Sequence, residues 1–532
     1  MYDYVIVGAG SAGCVLAARL TEDPDVSVLL IEAGPPDSIE NIHVPVAFSQ
    51  LIHSQVDWDY STLPEPFANH RRVGLPRGKT LGGSSSINWM VYIRGHRADF
   101  DGWREEGCEG WGYDDLLPYF KRSEDNERGA CEYHGAGGPL AVSEGRSRNP
   151  MTEAFLDACD QAGQLRNEDF NGAEQDGFGR YQVTMRDGRR CSTAVGYLHP
   201  AMSRPNLTVE TFTQVHRVLF EGARAVGVQA ARLGELRDFR AEREVILCGG
   251  AYNSPQLLML SGIGPAELLT MLQIPVVADL SAVGQNLQDH AGTGWLWTHD
   301  EPVSLLSAMS DENVAQFAGE GSGPLTSNGV ETGGFLRTGE HLPAPDLQYH
   351  VAGAMLLDEP IYEHGLTLAV YPVKPASRGS LSLRSADPTV APFILHNYYA
   401  EDSDMQTIMR GMRVAREIAA QPALAPYTAR PYDQPDSDSE QDLRAYIRRH
   451  TYTTFHPVGT CRMGADAEAV VDTELSVRGV QGLRVIDASV MPSIVRGNTN
   501  AATIAIAERA ADLVRGVEPL AAVGERAATA GV

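Results

Sequence analysis

The N-terminal stretch MYDYVIVGAGSAGCVLAARLTEDPDVSVLLIEAG, residues 1–34, decides the fold. Tyr4 to Val7 is apolar and β-branched, Gly8 to Gly13 (GAGSAG) is a glycine-rich turn, Val15 to Leu20 has helical character, and Val26 to Ile31 is a second buried strand. This is one βαβ unit of dinucleotide-binding type. Gly8 permits the tight turn, Gly10 lets the backbone approach a pyrophosphate, and Gly13 lets helix and strand pack closely. Ser11 and Ala12 open the helix, whose unpaired amides and partial positive charge suit phosphate. Glu32, nineteen residues after Gly13 and followed by Ala33, puts a carboxylate where it can accept from both hydroxyls of an adenosine ribose. The unit alone leaves FAD and NAD both open.

A second glycine segment, PRGKTLGGSSSINWMVYIRG at residues 76–95, serves the same kind of ligand. Gly82 and Gly83 expose backbone amides behind Leu81, Ser84 to Ser86 and Asn88 add polar side chains, and Arg77 offers a cationic donor. Two separate phosphate cradles suit a dinucleotide lying across the fold; the plainer alternative is a flexible surface loop.

The chain has 532 residues, beyond the size at which a single core stops growing, so two domains or one very large composite fold are expected. A formal charge of −26, from 43 basic and 69 acidic residues, opposes nucleic acid and anionic membrane surfaces, so nucleic acid is not an expected partner, while peripheral membrane contact stays open. Seven cysteines, scattered singly and odd in number, point to reduced thiols in the cytoplasm. The first strand begins at Tyr4, which leaves no room for a signal peptide, and no apolar run reaches bilayer-spanning length. The sequence leaves self-association open.

Along the chain, residues 33–139 have poor periodicity. Met151 to Gln164 reads as an amphipathic helix, and Leu207 to Phe220, Ala225 to Ala231 and Glu242 to Leu247 read as strands. Short strands at Leu347 to Val351, Leu366 to Val373 and Gly379 to Leu383 predict an antiparallel sheet in a second domain. Helical periodicity returns at Asp404 to Ala420, Glu440 to His450 and Ala501 to Arg515, and a small-residue tail from Glu518 is expected to be mobile.

Residues 76–95 resemble the segment that wraps the FAD pyrophosphate and flavin edge in glucose-methanol-choline oxidoreductases. The same family is matched by TLPEP at 62–66, HGAGGPL at 134–140, GGAYNSPQLLMLSGIGP at 249–265, VGQNLQDH at 283–290, FHPVGTCRMG at 455–464 and the stretch from Gly482 to Leu513. The resemblance implies an α/β fold: a discontinuous Rossmann-like FAD-binding domain (1–150, 190–290, 451–517) and an α+β substrate-binding domain (151–189, 291–450) built on an antiparallel sheet with helices. It further implies FAD-dependent oxidation of an alcohol to an aldehyde.

In that reading His456 takes the place of the catalytic base and Asn500 that of its partner, donating an amide hydrogen to the developing alkoxide. An alcohol carbon becomes a good hydride donor only as its oxygen loses a proton, and imidazole is suited to take it near neutral pH. The plainer alternatives are a core histidine and a helix N-cap. Asp487 and Ala488 are expected beside the cofactor, Asn498 and Thr499 near the flavin, and Val215 at the adenine, or else as packing. No histidine lies between Arg77 and Asn88, where some relatives attach the flavin covalently, so non-covalent FAD is expected.

For the substrate, Glu331 resembles a position where choline-oxidising relatives hold the ammonium, whereas aligning PDLQYH puts Gln348 where they carry a second histidine. Phe455, Trp58, Trp89, Phe335 and Tyr349 form a candidate apolar wall suited to a neutral alcohol. Dioxygen and a quinone-type acceptor remain equal candidates for the electrons, and choline oxidation or a non-redox lyase or decarboxylase on the same fold are the alternatives.

Overall fold

A computed structural model describes residues 1–356 and 361–523. The expected βαβ unit lies at its centre. Strand Tyr2–Val7 pairs in parallel with Val28–Ile31 on one side and with the C-terminal half of Glu235–Leu247 on the other. Leu207–Glu210 and Leu483–Val485 extend the parallel part outward. The N-terminal half of Glu235–Leu247 continues instead into an antiparallel meander with Arg224–Arg232 and Thr213–Glu221, so one long strand joins two kinds of sheet.

Gly8, at φ +100°, carries the chain from the first strand into helix Ser11–Leu20. A Cβ on Gly13 would lie 1.9 Å from the Gly8 carbonyl oxygen, so only glycine allows this close approach of helix and strand. The last helix, Asn500–Arg515, packs beside Ser11–Leu20 and is buried through Asp512. Its buried Glu508 pairs with Arg19 and Arg122, and Gly516 ends it in the left-handed conformation.

The second sheet is antiparallel throughout, in the order Arg430–Tyr432, Ala291–Thr298, Gly365–Pro372, Leu347–Ala352, Val330–Leu336, Gly177–Arg180, with Tyr452–Thr453 beside Ala291–Thr298. Helices Pro150–Gln161, Asp402–Ala419 and Glu440–His450 cover one face, against Leu347, Tyr349 and Val351. The alternation of a strand sends Gln348 and His350 to the opposite face, toward the first sheet.

Several expectations change. The stretch read as one strand, Leu207 to Phe220, breaks at Phe212, which takes φ +54°. Helix Pro150–Gln161 ends three residues early, before Gly163 at φ +72°. Ser380–Ser382 pairs with Phe393–Leu395 in a separate ribbon and does not join the large sheet. Residues 33–139 contain helices Arg97–Glu105 and Tyr113–Ser123, whose starts are marked by Asp99 and Asp115 accepting from the backbone of His96 and Gly112. Of the expected mobile tail, residues 524–532 lie outside the described residues; before them, the Leu520 amide donates to the Tyr119 hydroxyl. All seven cysteines are free, and no helix of the described residues is long and apolar enough to cross a membrane.

Candidate active site

A cavity of about 260 Å³ holds residues singled out at both glycine segments and at the C-terminal motifs. It runs between the two sheets, and its wall includes both Glu32 and His456.

At the nucleotide end the wall carries Gly8, Gly10, Ser11, Ala12, Glu32 and Ala33, with Val215 from the meander. No acidic residue stands in the first turn of helix Ser11–Leu20 and no side chain caps its N-terminus, which leaves its amides to an anion. Glu32 accepts from the amides of Ala9 (3.0 Å) and Gly34 (2.8 Å), yet burial still pushes its carboxyl up to about 7. Gly83 and Ser84 close the opposite side. A Cβ on Gly83 would stand 2.6 Å from the Gly10 Cα, so the two glycine segments meet face to face.

Gly13, Leu81 and Gly82 do not line the cavity. Gly13 serves the helix contact, Leu81 is buried in the core, and Gly82, at φ +86°, donates its amide to the Ala9 carbonyl at 2.7 Å. All three stand behind the cavity wall, where they support the residues that form it. The residues that do line the cavity fit FAD: glycines permit close backbone approach at two places, a helix N-terminus faces it, and a buried carboxylate ends the second strand.

Toward the middle, Asp487, Ala488, Asn88, Thr499 and Arg77 line the wall. Asp487 accepts from the Gly250 amide (2.8 Å) and from Ser254, while burial raises its carboxyl above the usual range. Arg77 donates to the carbonyls of Pro76 (2.6 Å) and Phe455 (2.7 Å), which fixes its guanidinium in the wall.

His456 is held by over-determined backbone. Phe455 stands in the left-handed region at φ +63°, a strained position for an aromatic residue. Its amide donates to Thr453 Oγ1 (2.9 Å), its carbonyl accepts from Arg77, and the next amide, that of His456, donates to Asp289 Oδ1 (2.8 Å). Asp289 also accepts from Tyr398 and Thr453.

The ring of His456 contacts His290, Nδ1 to Nδ1, at 3.0 Å. His290 Nε2 donates to the Val373 carbonyl (3.1 Å), and burial holds its pKa down to about 4, so it is neutral with a lone pair on Nδ1. His456 Nδ1 must then carry the proton, which it shares with Thr454 Oγ1 (2.8 Å), itself donating to the His290 carbonyl. His456 Nε2 is left as a bare lone pair. Burial and the neighbouring His290, His350 and Arg77 hold the His456 pKa well below 6.5, so this state persists at neutral pH.

The group facing Nε2 is the Asn498 amide, donating from Nδ2 at 3.2 Å. This corrects the expected pairing: Asn500 lines the cavity, but its Oδ1 accepts the Ser11 hydroxyl at 2.7 Å. Asn500 starts the helix and is turned to the first helix, whereas Asn498 lies two residues earlier beside the imidazole; the NTN repeat makes the two alike in sequence.

The substrate assignments divide. Phe455, Trp58 and Trp89 line the cavity, whereas Phe335 packs against Phe170 and the Tyr349 hydroxyl donates to the Gly411 carbonyl on the helical side. Glu331 does not reach the cavity: Thr152 (2.9 Å) and Ser327 (2.7 Å) donate to its two oxygens. Gln348 likewise stands behind the wall, where it donates to Asn498 Oδ1 at 3.2 Å. The imidazole that does reach the cavity from this strand is His350, whose buried ring nitrogens find no partner among the described residues. The sequence reading missed His290 and His350. One ends the quoted VGQNLQDH motif, and the other shares a strand face with Gln348, which period-two counting reveals.

The chain matches the GMC oxidoreductase family models over residues 2–292 and 375–507. It is 46% identical to the mitochondrial choline dehydrogenase of Mus musculus, over 97% of this chain and 89% of that one. It is 44% identical to the oxygen-dependent choline dehydrogenase of Escherichia coli (strain K12), over 98% and 96%. Among solved structures it superposes on a pyridoxine 4-oxidase from Mesorbium loti with a TM-score of 0.89 at 33% identity, covering 97% and 100%. It also superposes on a formate oxidase from Aspergillus oryzae with a TM-score of 0.91 at 30% identity, covering 97% and 98%. With a glycine-lined dinucleotide groove and a base-bearing imidazole in one cavity, the chain belongs to the GMC oxidoreductases, FAD-dependent enzymes that act on the CH–OH group of alcohols.

Proposed function

We propose that the protein oxidises a neutral primary alcohol to its aldehyde, with His456 Nε2 as the base. The observation that carries this is the lone pair at Nε2, imposed by His290 from the far side of the ring. An incoming hydroxyl displaces the Asn498 amide from Nε2 and gives that nitrogen its proton. The freed amide hydrogen then donates to the oxygen as negative charge builds there. Bound FAD supplies the ring that accepts hydride from the substrate carbon. Glu32 holds the adenosine ribose, helix Ser11–Leu20 and Gly83–Ser84 take the pyrophosphate, and Val215 meets the adenine.

In this reading residues 1–150, 190–290 and 451–517 carry the cofactor, while 151–189 and 291–450 cover the substrate, in a cytoplasmic enzyme. Arg77 disfavours a cation near the base, and a neutral His350 adds no counter-charge there, while Trp58, Trp89 and Phe455 supply an aromatic wall. A second reading, choline, is favoured by the two choline dehydrogenases above. The electrons leave to dioxygen or to a quinone-type acceptor.

Following hydrogen peroxide and acceptor-dye reduction side by side, with a panel of primary alcohols, tests the proposal. Aldehyde formation with either readout supports it; an enzyme that retains FAD and oxidises no alcohol would overturn it.

A further inference from the structure

We infer that Gln348 is a positioning residue that sets the direction of the Asn498 amide and, through it, keeps a hydrogen-bond donor on His456 Nε2; this rests on the proposed alcohol oxidation. Gln348 is fully buried on the cavity-facing side of strand Leu347–Ala352. Its Nε2 donates to Asn498 Oδ1 at 3.2 Å and faces the Tyr181 hydroxyl at 3.5 Å, while its Oε1 has no partner among the described residues.

The orientation of that amide is dictated by its surroundings. The Tyr181 hydroxyl donates to the Tyr349 main-chain carbonyl at 2.7 Å, so its oxygen turns only lone pairs toward Gln348. Rotating the Gln348 amide by half a turn would set Oε1 against two acceptors, the Tyr181 oxygen and Asn498 Oδ1. The nitrogen therefore faces them, Asn498 presents its oxygen to Gln348, and its Nδ2 is left pointing at His456.

A second line of hydrogen bonds reaches the same atom from the other side. It runs from the Val373 carbonyl through His290 to the Nδ1 proton of His456. The two lines, each anchored on a main-chain carbonyl, meet at the contact from Asn498 Nδ2 to His456 Nε2. They agree in one proton arrangement: hydrogen on Nδ1, lone pair on Nε2. Burying an amide whose carbonyl goes unpaired is unfavourable, and packing alone would be better served by an apolar side chain of the same length. The positioning role accounts for a polar residue here.

The test uses the FAD-loaded enzyme and the alcohol that reduces it fastest. Gln348→Met keeps the side-chain length and Gln348→Leu much of the bulk, both without a donor. Each is expected to slow anaerobic flavin reduction about tenfold, the loss of one hydrogen bond's orientation, with KM unchanged. In an Asn498→Ala background the same substitutions should change the rate by less than about twofold, because the group they position is gone. Nitrogen NMR of ¹⁵N-histidine-labelled wild-type protein should show His456 Nε2 as an unprotonated ring nitrogen.

A Gln348→Met enzyme as fast as wild type, a loss undiminished in the Asn498→Ala background, or a protonated Nε2 would overturn the inference. Failure of the wild-type flavin to bleach with any alcohol would instead overturn the proposed function, and the positioning role with it.

Discussion

The Asn500 side-chain oxygen accepts the Ser11 hydroxyl at 2.7 Å, a bond that ties the start of the last helix to the start of the first across 489 residues. Two asparagines in one NTN triplet thus face different tasks, one the imidazole and the other the nucleotide groove. Asn498→Ala should lower the flavin-reduction rate about 10- to 100-fold with FAD content unchanged, since it removes a donor to developing charge. Asn500→Ala should act mainly on FAD retention, measured as the flavin-to-protein ratio after gel filtration. The reverse pattern would exchange the two roles.

Charge near the base separates the substrate readings. Choline and 3,3-dimethylbutan-1-ol have nearly the same shape and differ by one positive charge. The account expects the neutral isostere to bleach the flavin with the higher kcat/KM, by about tenfold or more, because the Arg77 guanidinium lines the same cavity as the base and repels a second cation there. A preference for choline measured in the same anaerobic assay would favour the second reading.

Glu32 makes the cofactor-free protein sensitive to pH. Burial raises its folded pKa to about 7, above that of an unfolded carboxyl, so the folded state binds the extra proton. Its contribution is therefore most favourable below the unfolded pKa and is lost as pH rises through 7, a change of roughly 3 kcal/mol. Thermal unfolding of the apoprotein should show stability falling from pH 5 to pH 8, with a smaller fall in Glu32→Gln. The same variant should hold FAD more weakly, because Glu32 also receives the ribose.

With no histidine between Arg77 and Asn88, the flavin should be released on acid precipitation. A yellow pellet after washing would show a covalent link and contradict this expectation.

The first sheet was legible because GAGSAG sits between two apolar runs, a local pattern that marks a parallel strand–helix–strand unit. The second sheet was legible only as alternation. Its covering helices announced themselves by periodicity, but the order of six strands taken from between residues 177 and 432 depends on pairings no local pattern carries.

The site was legible as motifs and illegible as geometry. Glu331 and Gln348 were assigned by resemblance to family positions, and which polar group faces a cavity depends on neighbours such as Thr152 and Tyr181 that lie far away in sequence. His290 was in plain view at the end of its motif. Its role emerged only when the Val373 carbonyl fixed one of its nitrogens.

The most direct test is anaerobic stopped-flow reduction of the FAD-loaded protein by its best alcohol, wild type against His456→Ala. The account predicts full flavin content in both and a reduction rate lower by about 10²- to 10⁴-fold in the variant, the usual contribution of a positioned base. Equal bleaching rates in the two proteins would contradict it.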